Sequence, residues 1–258
     1  MDRSIHLGID GVSLSIGGLR ILNDVSFDVY RGDLFALIGP NGAGKTSLLN
    51  CISGIYTPTR GHIHFNGKDL ANLKSHEVAQ TGVARTFQLT ELFRHLDVLQ
   101  NLLAGRHIKM KSGLLSNGIF WGKTIKEEVA HREAVEKIID FLELGKYRRT
   151  QTAGLPYGTQ KIIGVGRALA MEPQILLLDE PSAGMNRQEK EDIARFILRI
   201  KHEIGMTILW VEHDMQLVGD LADRVVVLNF GTKMAEGTPD DVLSDPEGIR
   251  SDLGSTGD

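Results

Sequence analysis

The sequence predicts an α/β fold: a doubly wound parallel sheet, antiparallel strands at the N-terminus and an inserted helical subdomain. Three observations support this prediction. Short apolar runs such as 34–38 and 175–178 are followed by helical patterns, which is typical of parallel strands buried on both faces. Residues 5–30 alternate apolar and polar side chains, the period of half-buried strands. Residues 89–170 show helical spacing instead.

The N-terminal strands are predicted from side chains that recur at every second position. These are Val12, Leu14 and Ile16, then Val25, Phe27 and Val29. Gly17 and Gly18 between the two sets indicate a turn. A further strand over 62–65 ends in the tight turn Asn66-Gly67. His62 and His64 share one face of that strand, and we interpret them as solvated residues because no third metal ligand is in view.

Residues 39–46 carry the clearest chemical signal. They read Gly-Pro-Asn-Gly-Ala-Gly-Lys-Thr, which matches G-x-x-x-x-G-K-[ST], between an apolar strand and the start of a helix. This arrangement aims free backbone N–H groups at a phosphate, and the helix dipole adds positive potential. Lys45 would contact the β- and γ-phosphates, and the Thr46 hydroxyl would bind Mg²⁺. The alternative is a glycine-rich turn that matches by chance.

The sequence therefore predicts a nucleotide-binding segment. Its residues are Gly39, Pro40, Asn41, Gly42, Ala43, Gly44, Lys45, Thr46 and Ser47.

The helical subdomain is predicted to span 89–170, inserted between core segments 1–88 and 171–258 of one domain. Asp97 is the expected N-cap of a helix over 98–104. Thr124 begins a capping box, and the helix after it should end at Gly145.

The core resumes with alternating strands and helices after residue 174. We predict a strand over 174–179, a helix over 187–203, strands over 207–211 and 225–228 with a short helix between them, and a late helix with Thr238 as its N-cap. In such a sheet the ligand binds at the carboxyl ends of the strands.

Four polar residues lie where predicted core strands end. Asp179 is a candidate Mg²⁺ ligand, and Glu180 is a candidate base for the attacking water. Alternatively, these adjacent acids cap the next turn. His213 follows strand 207–211 and would reach the γ-phosphate, although a histidine there is often structural. Gln88 would offer its amide to Mg²⁺ and water, at the passage into the helical subdomain.

A second glycine-containing helix start follows Leu155, in the sequence Pro156-Tyr157-Gly158 before a helix over 161–170. One nucleotide does not need two such sites from one chain. Two chains arranged head to tail would let each nucleotide contact the loop of one chain and this helix start of the other.

The composition is that of an ordinary globular protein: 258 residues, 41% hydrophobic, 24% charged and a net charge of −4. This charge does not favour nucleic acid as a partner. A lone cysteine, Cys51, excludes an internal disulfide and suits a reducing cytoplasm. We see no membrane-spanning run and no signal peptide, so any membrane association is expected to come through a partner.

Taken in order, these motifs resemble those of the ATPase subunits of ABC transporters. The Walker A motif is 39–46, the Q-loop residue is Gln88, the signature is 155–160, Walker B is 175–179 with Glu180, the D-loop is 182–186 and the switch residue is His213. Segments 82–88, 92–94, 180–186 and 212–215 are similar to the LivG-type ATPases of branched-chain amino-acid importers.

The resemblance implies a peripheral subunit on the cytoplasmic face of the inner or plasma membrane, which binds and hydrolyses ATP with Mg²⁺. It also implies a second ATPase subunit, identical or different, two membrane permeases and an extracytoplasmic solute-binding protein. Importers of urea or aromatic acids, and soluble ABC ATPases outside transport, are the alternatives. Segment 88–96 is the candidate groove for the permease, although its apolar residues would equally suit the core.

Two features depart from the family pattern, the signature and the position before Gly17. Pro156 and Tyr157 replace Ser and Gly of the usual signature, so a hydroxyl contact to the opposite γ-phosphate is lost while Gly158 remains. Ile16 stands where the family usually stacks an aromatic ring on adenine. Because base stacking is worth about 1–3 kcal/mol, we expect weak base discrimination.

Overall fold

The computed structural model describes residues 4–86, 92–109 and 121–243, except for the side chains of 121–126 and 243. In chain order the elements are β1 (Ile5–Ile16), β2 (Leu19–Tyr30), β3 (Leu34–Ile38), α1 (Lys45–Ile52), β4 (Arg60–Phe65), β5 (Lys68–Asp69), α2 (Ser75–Gln80), β6 (Val83–Arg85), α3 (Val98–Gly105), α4 (Trp121–Phe141), α5 (Tyr157–Leu169), β7 (Ile175–Asp179), α6 (Arg187–Ile204), β8 (Thr207–Val211), α7 (Met215–Leu221), β9 (Arg224–Asn229), β10 (Thr232–Gly237) and α8 (Pro239–Leu243).

The N-terminal strands form an antiparallel sheet of order β2-β1-β4-β5, as the sequence predicts. Gly17 and Gly18 make the first turn with φ of 57° and 84°, which glycine adopts without steric cost. His62 Nδ1 lies 2.7 Å from Asp69 Oδ2 at the surface. Within the described residues, no group of three or more His, Cys, Asp or Glu side chains is placed to hold a metal ion.

The second sheet has the order β10-β9-β3-β8-β7-β6, and every neighbouring pair from β9 to β6 is parallel. The predicted doubly wound α/β core is therefore present. Strand β10 pairs antiparallel with β9 at the edge. The sequence did not predict it, because its six residues are all exposed or half-buried and lack an apolar alternation.

Each side of the parallel sheet packs against a different layer. Phe35 and Leu37 of β3 face α1 and the antiparallel sheet, in a core that also contains Leu49 and Ile63. On the opposite side the sheet packs on helices α3 to α6, around side chains that include Trp210, Ile163 and Phe196. The strand ends are therefore fixed from both sides.

The described residues between 92 and 170 form helices and one isolated bridge, between Asp97 and Gln151. Asp97 caps α3 as predicted, because its Oδ1 accepts a 2.8 Å hydrogen bond from Gln100 N. Helix α4 begins at Trp121, so Thr124 lies inside it and the predicted N-cap is wrong.

The predicted end of α4 at Gly145 is also wrong. The helix ends at Phe141, because Glu143 adopts the left-handed conformation with φ of 56°. Its carboxylate is held there by Arg195 at 2.6 Å and 3.1 Å. Within the described residues, no helix has the length and apolar composition needed to span a bilayer.

His6 links the two sheets and predicts a dependence of stability on pH. Its Nδ1 lies 2.6 Å from Thr207 Oγ1 in the interior. Burial, helped by the Arg31 charge, lowers its pKa from 6.5 to about 4. The folded state is therefore favoured while His6 is neutral in both states. As pH falls through 6.5 the unfolded chain takes up the proton first, so the free energy of unfolding decreases until the pH reaches the folded-state pKa.

Because of His6, we expect the free energy of unfolding to fall by about 2 kcal/mol when the pH is lowered from 7 to 5. The measurement is urea unfolding at both pH values, with the His6→Gln variant as the control that cannot titrate. If both proteins lose equal stability over this interval, His6 does not carry the effect.

Candidate active site

The phosphate-binding loop joins β3 to α1 at the carboxyl edge of the parallel sheet. Gly39 has φ of 145°, and a Cβ there would lie 2.0 Å from Leu228 O. Gly44, with φ of 99°, is the N-cap of α1. Only glycine fits these two positions, because a side chain would meet strain at both and backbone at the first. The loop lines a cavity of about 360 Å³, and the lining residues are Ile21, residues 41–47 and Glu180.

Lys45 is held over this loop by its own backbone. Its Nζ donates to Gly39 O at 2.8 Å and to Pro40 O at 2.9 Å. Burial lowers the pKa of the Lys45 ammonium, and the Glu180 and Asp179 carboxylates oppose that shift. The ammonium is thus positioned beside the loop amides that a phosphate would contact.

Asp179 ends β7 with its two oxygens in different environments. Oδ2 accepts a 2.8 Å hydrogen bond from Arg85, and both side chains of this ion pair are buried. Oδ1 is also buried and has no hydrogen-bond partner among the described residues. An orphaned carboxylate oxygen whose charge acts on Lys45 of the loop suits Mg²⁺, which takes one or two protein oxygens and completes its shell with phosphate and water. The residues present therefore fit the ion.

Glu180 and His213 meet at the edge of the same cavity. Glu180 has φ of 47°, an uncommon conformation for a residue with a side chain. Its Oε1 lies 2.7 Å from His213 Nε2, and it lines the cavity beside the phosphate-binding loop. The carboxylate is therefore placed to receive a proton from water, with the imidazole beside it.

The signature lies at the start of α5, which begins at Tyr157 with Pro156 as its N-cap, four residues before the predicted start. Gly158 N donates a 3.0 Å hydrogen bond to Glu189 Oε1 of α6. The Tyr157 ring packs against Gly184, where a Cβ would lie 3.2 Å from it. These three signature residues do not line the cavity of the phosphate-binding loop.

Ile16 is a predicted site residue that does not line this cavity. Ile16 lies at the end of β1 with 44% of its surface exposed, and Ile21 lines the cavity instead. Gln88, the predicted Mg²⁺ and water ligand, lies outside the described residues.

Sequence reasoning missed three polar residues that support the site. Arg85 pairs with Asp179, and Lys161 of α5 donates to Glu180 O at 3.1 Å. Glu212 is a buried carboxylate between two loops. The available signal was a charged side chain in an otherwise apolar strand, at Arg85 in β6 and at Glu212 directly after β8.

The family follows from a match over most of the chain. Residues 22–183 match the family model described as ABC transporter. This chain belongs to the ABC transporter family. Membership confirms the predicted fold, with its P-loop NTPase core, and the predicted class of enzyme, an ABC-type ATP hydrolase.

Individual relatives cover nearly the whole length of this ABC transporter protein. LivG of Escherichia coli strain K12, a high-affinity branched-chain amino acid transport ATP-binding protein, is 39% identical over 96% of this chain and 97% of its own length. BraF of Pseudomonas aeruginosa, of the same description, is 37% identical over 98% and 99%. CysA of Pseudomonas syringae, a sulfate/thiosulfate import ATP-binding protein, is 33% identical over 94% of this chain and 70% of its own.

Solved structures of ABC cassettes share the fold. One in its ADP conformation superposes with a TM-score of 0.84 at 33% identity, over 96% of this chain and 98% of the cassette. A nucleotide-free cassette gives a TM-score of 0.83 at 32% identity, over 95% and 98%.

Proposed function

We propose that this chain is the ATP-hydrolysing subunit of an importer for branched-chain amino acids or a related small solute, on the cytoplasmic face of the membrane. The observation that carries the proposal is the near full-length similarity to LivG of Escherichia coli, at 39% identity. The sulfate/thiosulfate relative shows that a similar chain is also used with a different solute. We infer that other subunits select the solute and that this chain supplies the energy.

The cavity beside loop 39–46 supports the following residue roles. The ATP phosphates would lie on the amides of loop 39–46, with Lys45 beside the β- and γ-phosphates. Thr46 and Asp179 would hold Mg²⁺, together with Gln88. Bound there, the ion would neutralise the developing phosphate charge.

Proton transfer is assigned to the pair at the strand ends. Glu180 would accept a proton from the attacking water, and His213 would orient that carboxylate through their 2.7 Å contact. A carboxylate beside a phosphate-binding loop needs such an orienting partner, because its own charge is repelled by the phosphates.

We propose that a second ATPase subunit completes the site with its own signature. Pro156, Tyr157 and Gly158 of this chain would then contact the nucleotide of that subunit. In the single chain the Gly158 amide is held by the Glu189 carboxylate, an anion in place of phosphate. Binding of a phosphate there requires Glu189 to release this amide.

Two membrane permeases and, indirectly, an extracytoplasmic solute-binding protein are the further proposed partners, and nucleic acid is not one. The candidate permease groove over 88–96 contains Phe93, which is 55% exposed, whereas Leu92 is buried in the core. A cavity of about 640 Å³ opens beside both residues, between α3 and α5. Rotation of the proposed helical subdomain, 89–170, would transmit closure of the ATPase pair to the permease.

The experiment that tests this proposal is purification of the tagged chain with the products of its neighbouring genes. We expect permease subunits to copurify, and a branched-chain amino acid with its binding protein to stimulate ATP turnover in vesicles. Stimulation only by urea or an aromatic acid would overturn the substrate class. Copurification of nucleic acid without permeases would overturn the transport role.

The exposed Ile16 predicts poor selection of the base. We expect Ile16→Tyr to tighten ATP binding by about 1 kcal/mol, because an aromatic ring stacks on adenine better than an aliphatic chain does. Equilibrium binding of ATP and GTP to both proteins measures this effect. Ile5→Tyr, at the opposite exposed end of β1, is the matched control. Unchanged ATP affinity in Ile16→Tyr, with GTP already excluded by the wild type, would contradict the prediction.

A further inference from the structure

Glu212 lies behind the proposed catalytic pair and is only 2% exposed. Its Oε2 accepts hydrogen bonds from Ser182 Oγ at 2.9 Å and Trp210 Nε1 at 3.2 Å. Its Oε1 accepts from the backbone amides of His213 at 2.9 Å and Asp214 at 3.3 Å. Burying a carboxylate is costly unless donors surround it, and here both oxygens have two.

These donors connect two loops that leave neighbouring strands. Ser182 belongs to the loop after β7, which also carries Glu180, and Glu212 precedes His213 after β8. The loops are therefore joined twice, by Glu180 to His213 at 2.7 Å and by Ser182 to Glu212 at 2.9 Å. The first joint lies at the cavity, where the His213 side chain is 37% exposed, and the second is buried.

We propose that Glu212 is a positioning residue for ATP hydrolysis, which sets the backbone of His213 and keeps the two loops in register. This inference rests on the proposed roles of Glu180 and His213. During the reaction the exposed Glu180–His213 contact must change, because Glu180 takes up a proton. The buried joint keeps the imidazole within reach of the carboxylate, and Glu212 acts on the chemistry only through that geometry.

The chain beyond His213 is anchored without Glu212. Asp214 Oδ2 accepts a 2.7 Å hydrogen bond from Lys190 of α6, which lowers the pKa of the Asp214 carboxyl. Its Oδ1 accepts from Leu217 N at the start of α7. Loss of the Glu212 carboxylate should therefore loosen residues 212 and 213 while α7 stays in place.

The test is the Glu212→Gln variant of the full chain. An amide has one oxygen, so it cannot accept from all four donors. With its oxygen on the backbone amides of His213 and Asp214, its NH₂ group would face the Trp210 N–H, and Ser182 would have to reverse its hydroxyl to stay bonded, which weakens the contact between the loops. We expect kcat for ATP to fall about tenfold or more, because small misplacements of catalytic groups are costly. KM for ATP should stay within about twofold, since Glu212 does not line the phosphate cavity.

Trp210 supplies a readout that is independent of turnover. The chain has two tryptophans, so Trp121→Phe isolates the Trp210 emission. Because its indole N–H donates to the Glu212 carboxylate, we expect the emission maximum to shift in Glu212→Gln. The matched control is Glu236→Gln, a half-buried glutamate that pairs with Arg224 and Lys233 away from the cavity. It should change neither kcat nor emission.

Ser182→Ala decides the question if Glu212→Gln does not fold. It removes one donor and leaves the carboxylate, so kcat should fall by a smaller factor at unchanged KM. ATP-binding stoichiometry counts the active fraction, which separates mispositioning from partial unfolding. If Glu212→Gln folds and has the wild-type kcat, the inference is overturned. If it does not fold, wild-type kcat in Ser182→Ala overturns the inference. Wild-type protein that neither binds nor hydrolyses ATP overturns the proposed function instead.

Discussion

Glu180→Gln is expected to bind ATP like the wild type and to hydrolyse it about 10²–10⁴-fold more slowly, the usual contribution of a positioned base. The substitution keeps the size and shape of the side chain. The amide can still bond to the imidazole of His213, which lies 2.7 Å from the carboxylate, so the loop geometry should persist. What is lost is the ability to receive a proton from water.

Single-turnover hydrolysis and equilibrium ATP binding measure the two halves of this expectation separately. Glu236→Gln serves again as the control that removes a carboxylate elsewhere, and it should hydrolyse ATP at the wild-type rate. Wild-type turnover in Glu180→Gln would remove Glu180 from the role of base. Loss of ATP binding would show that the carboxylate mainly organises the loop.

The parts of the site that the sequence predicts are those encoded by adjacent residues. The phosphate-binding loop needs glycines at fixed spacing between a strand and a helix, so residues 39–46 reveal it directly. Asp179 and Glu180 are recognisable because they end an apolar strand, and parallel strands present their carboxyl ends at one edge. Neighbouring residues in the sequence also predict that Asp97 and Thr238 are helix N-caps, and both predictions are confirmed.

Contacts between distant segments are not encoded in this way. Arg85 reaches Asp179 because β6 pairs with β7 in one particular register, and neither strand carries that register in its own pattern. The Gly158–Glu189 contact depends on how α5 packs beside α6. Burial, which makes such charges important, is itself a product of tertiary packing.

Packing against a neighbour also explains the errors at helix ends. The sequence places the end of α4 at Gly145, the residue that adopts a left-handed conformation most cheaply. The ion pair with Arg195 of α6 stabilises Glu143 in that conformation instead, two residues earlier. Glu143 also pairs with Arg199, and two exposed pairs worth at most about 1 kcal/mol each are together comparable with the left-handed cost of about 1–2 kcal/mol.

Arg85→Met is expected to destabilise the fold by about 3–5 kcal/mol, the usual cost of removing one partner from a buried ion pair. The Arg85 side chain is 7% exposed and that of Asp179 is 1% exposed, so solvent cannot replace the lost cation. Arg85 also donates to Asn50 Oδ1 at 2.6 Å and Ser53 Oγ at 3.1 Å, which ties α1 to β6. For a chain of this size the melting temperature should fall by about 6–20 °C.

Thermal unfolding of two further variants tests whether the unpaired charge is the cause. Arg187→Met is the matched control, because Arg187 is almost fully exposed and its pair with Glu191 should be worth at most about 1 kcal/mol. Asp179→Asn combined with Arg85→Met should recover part of the loss, since no buried carboxylate then lacks its partner. If Arg85→Met and Arg187→Met melted at the same temperature, the buried pair would contribute nothing to stability. The strand alone would then hold Asp179 in place.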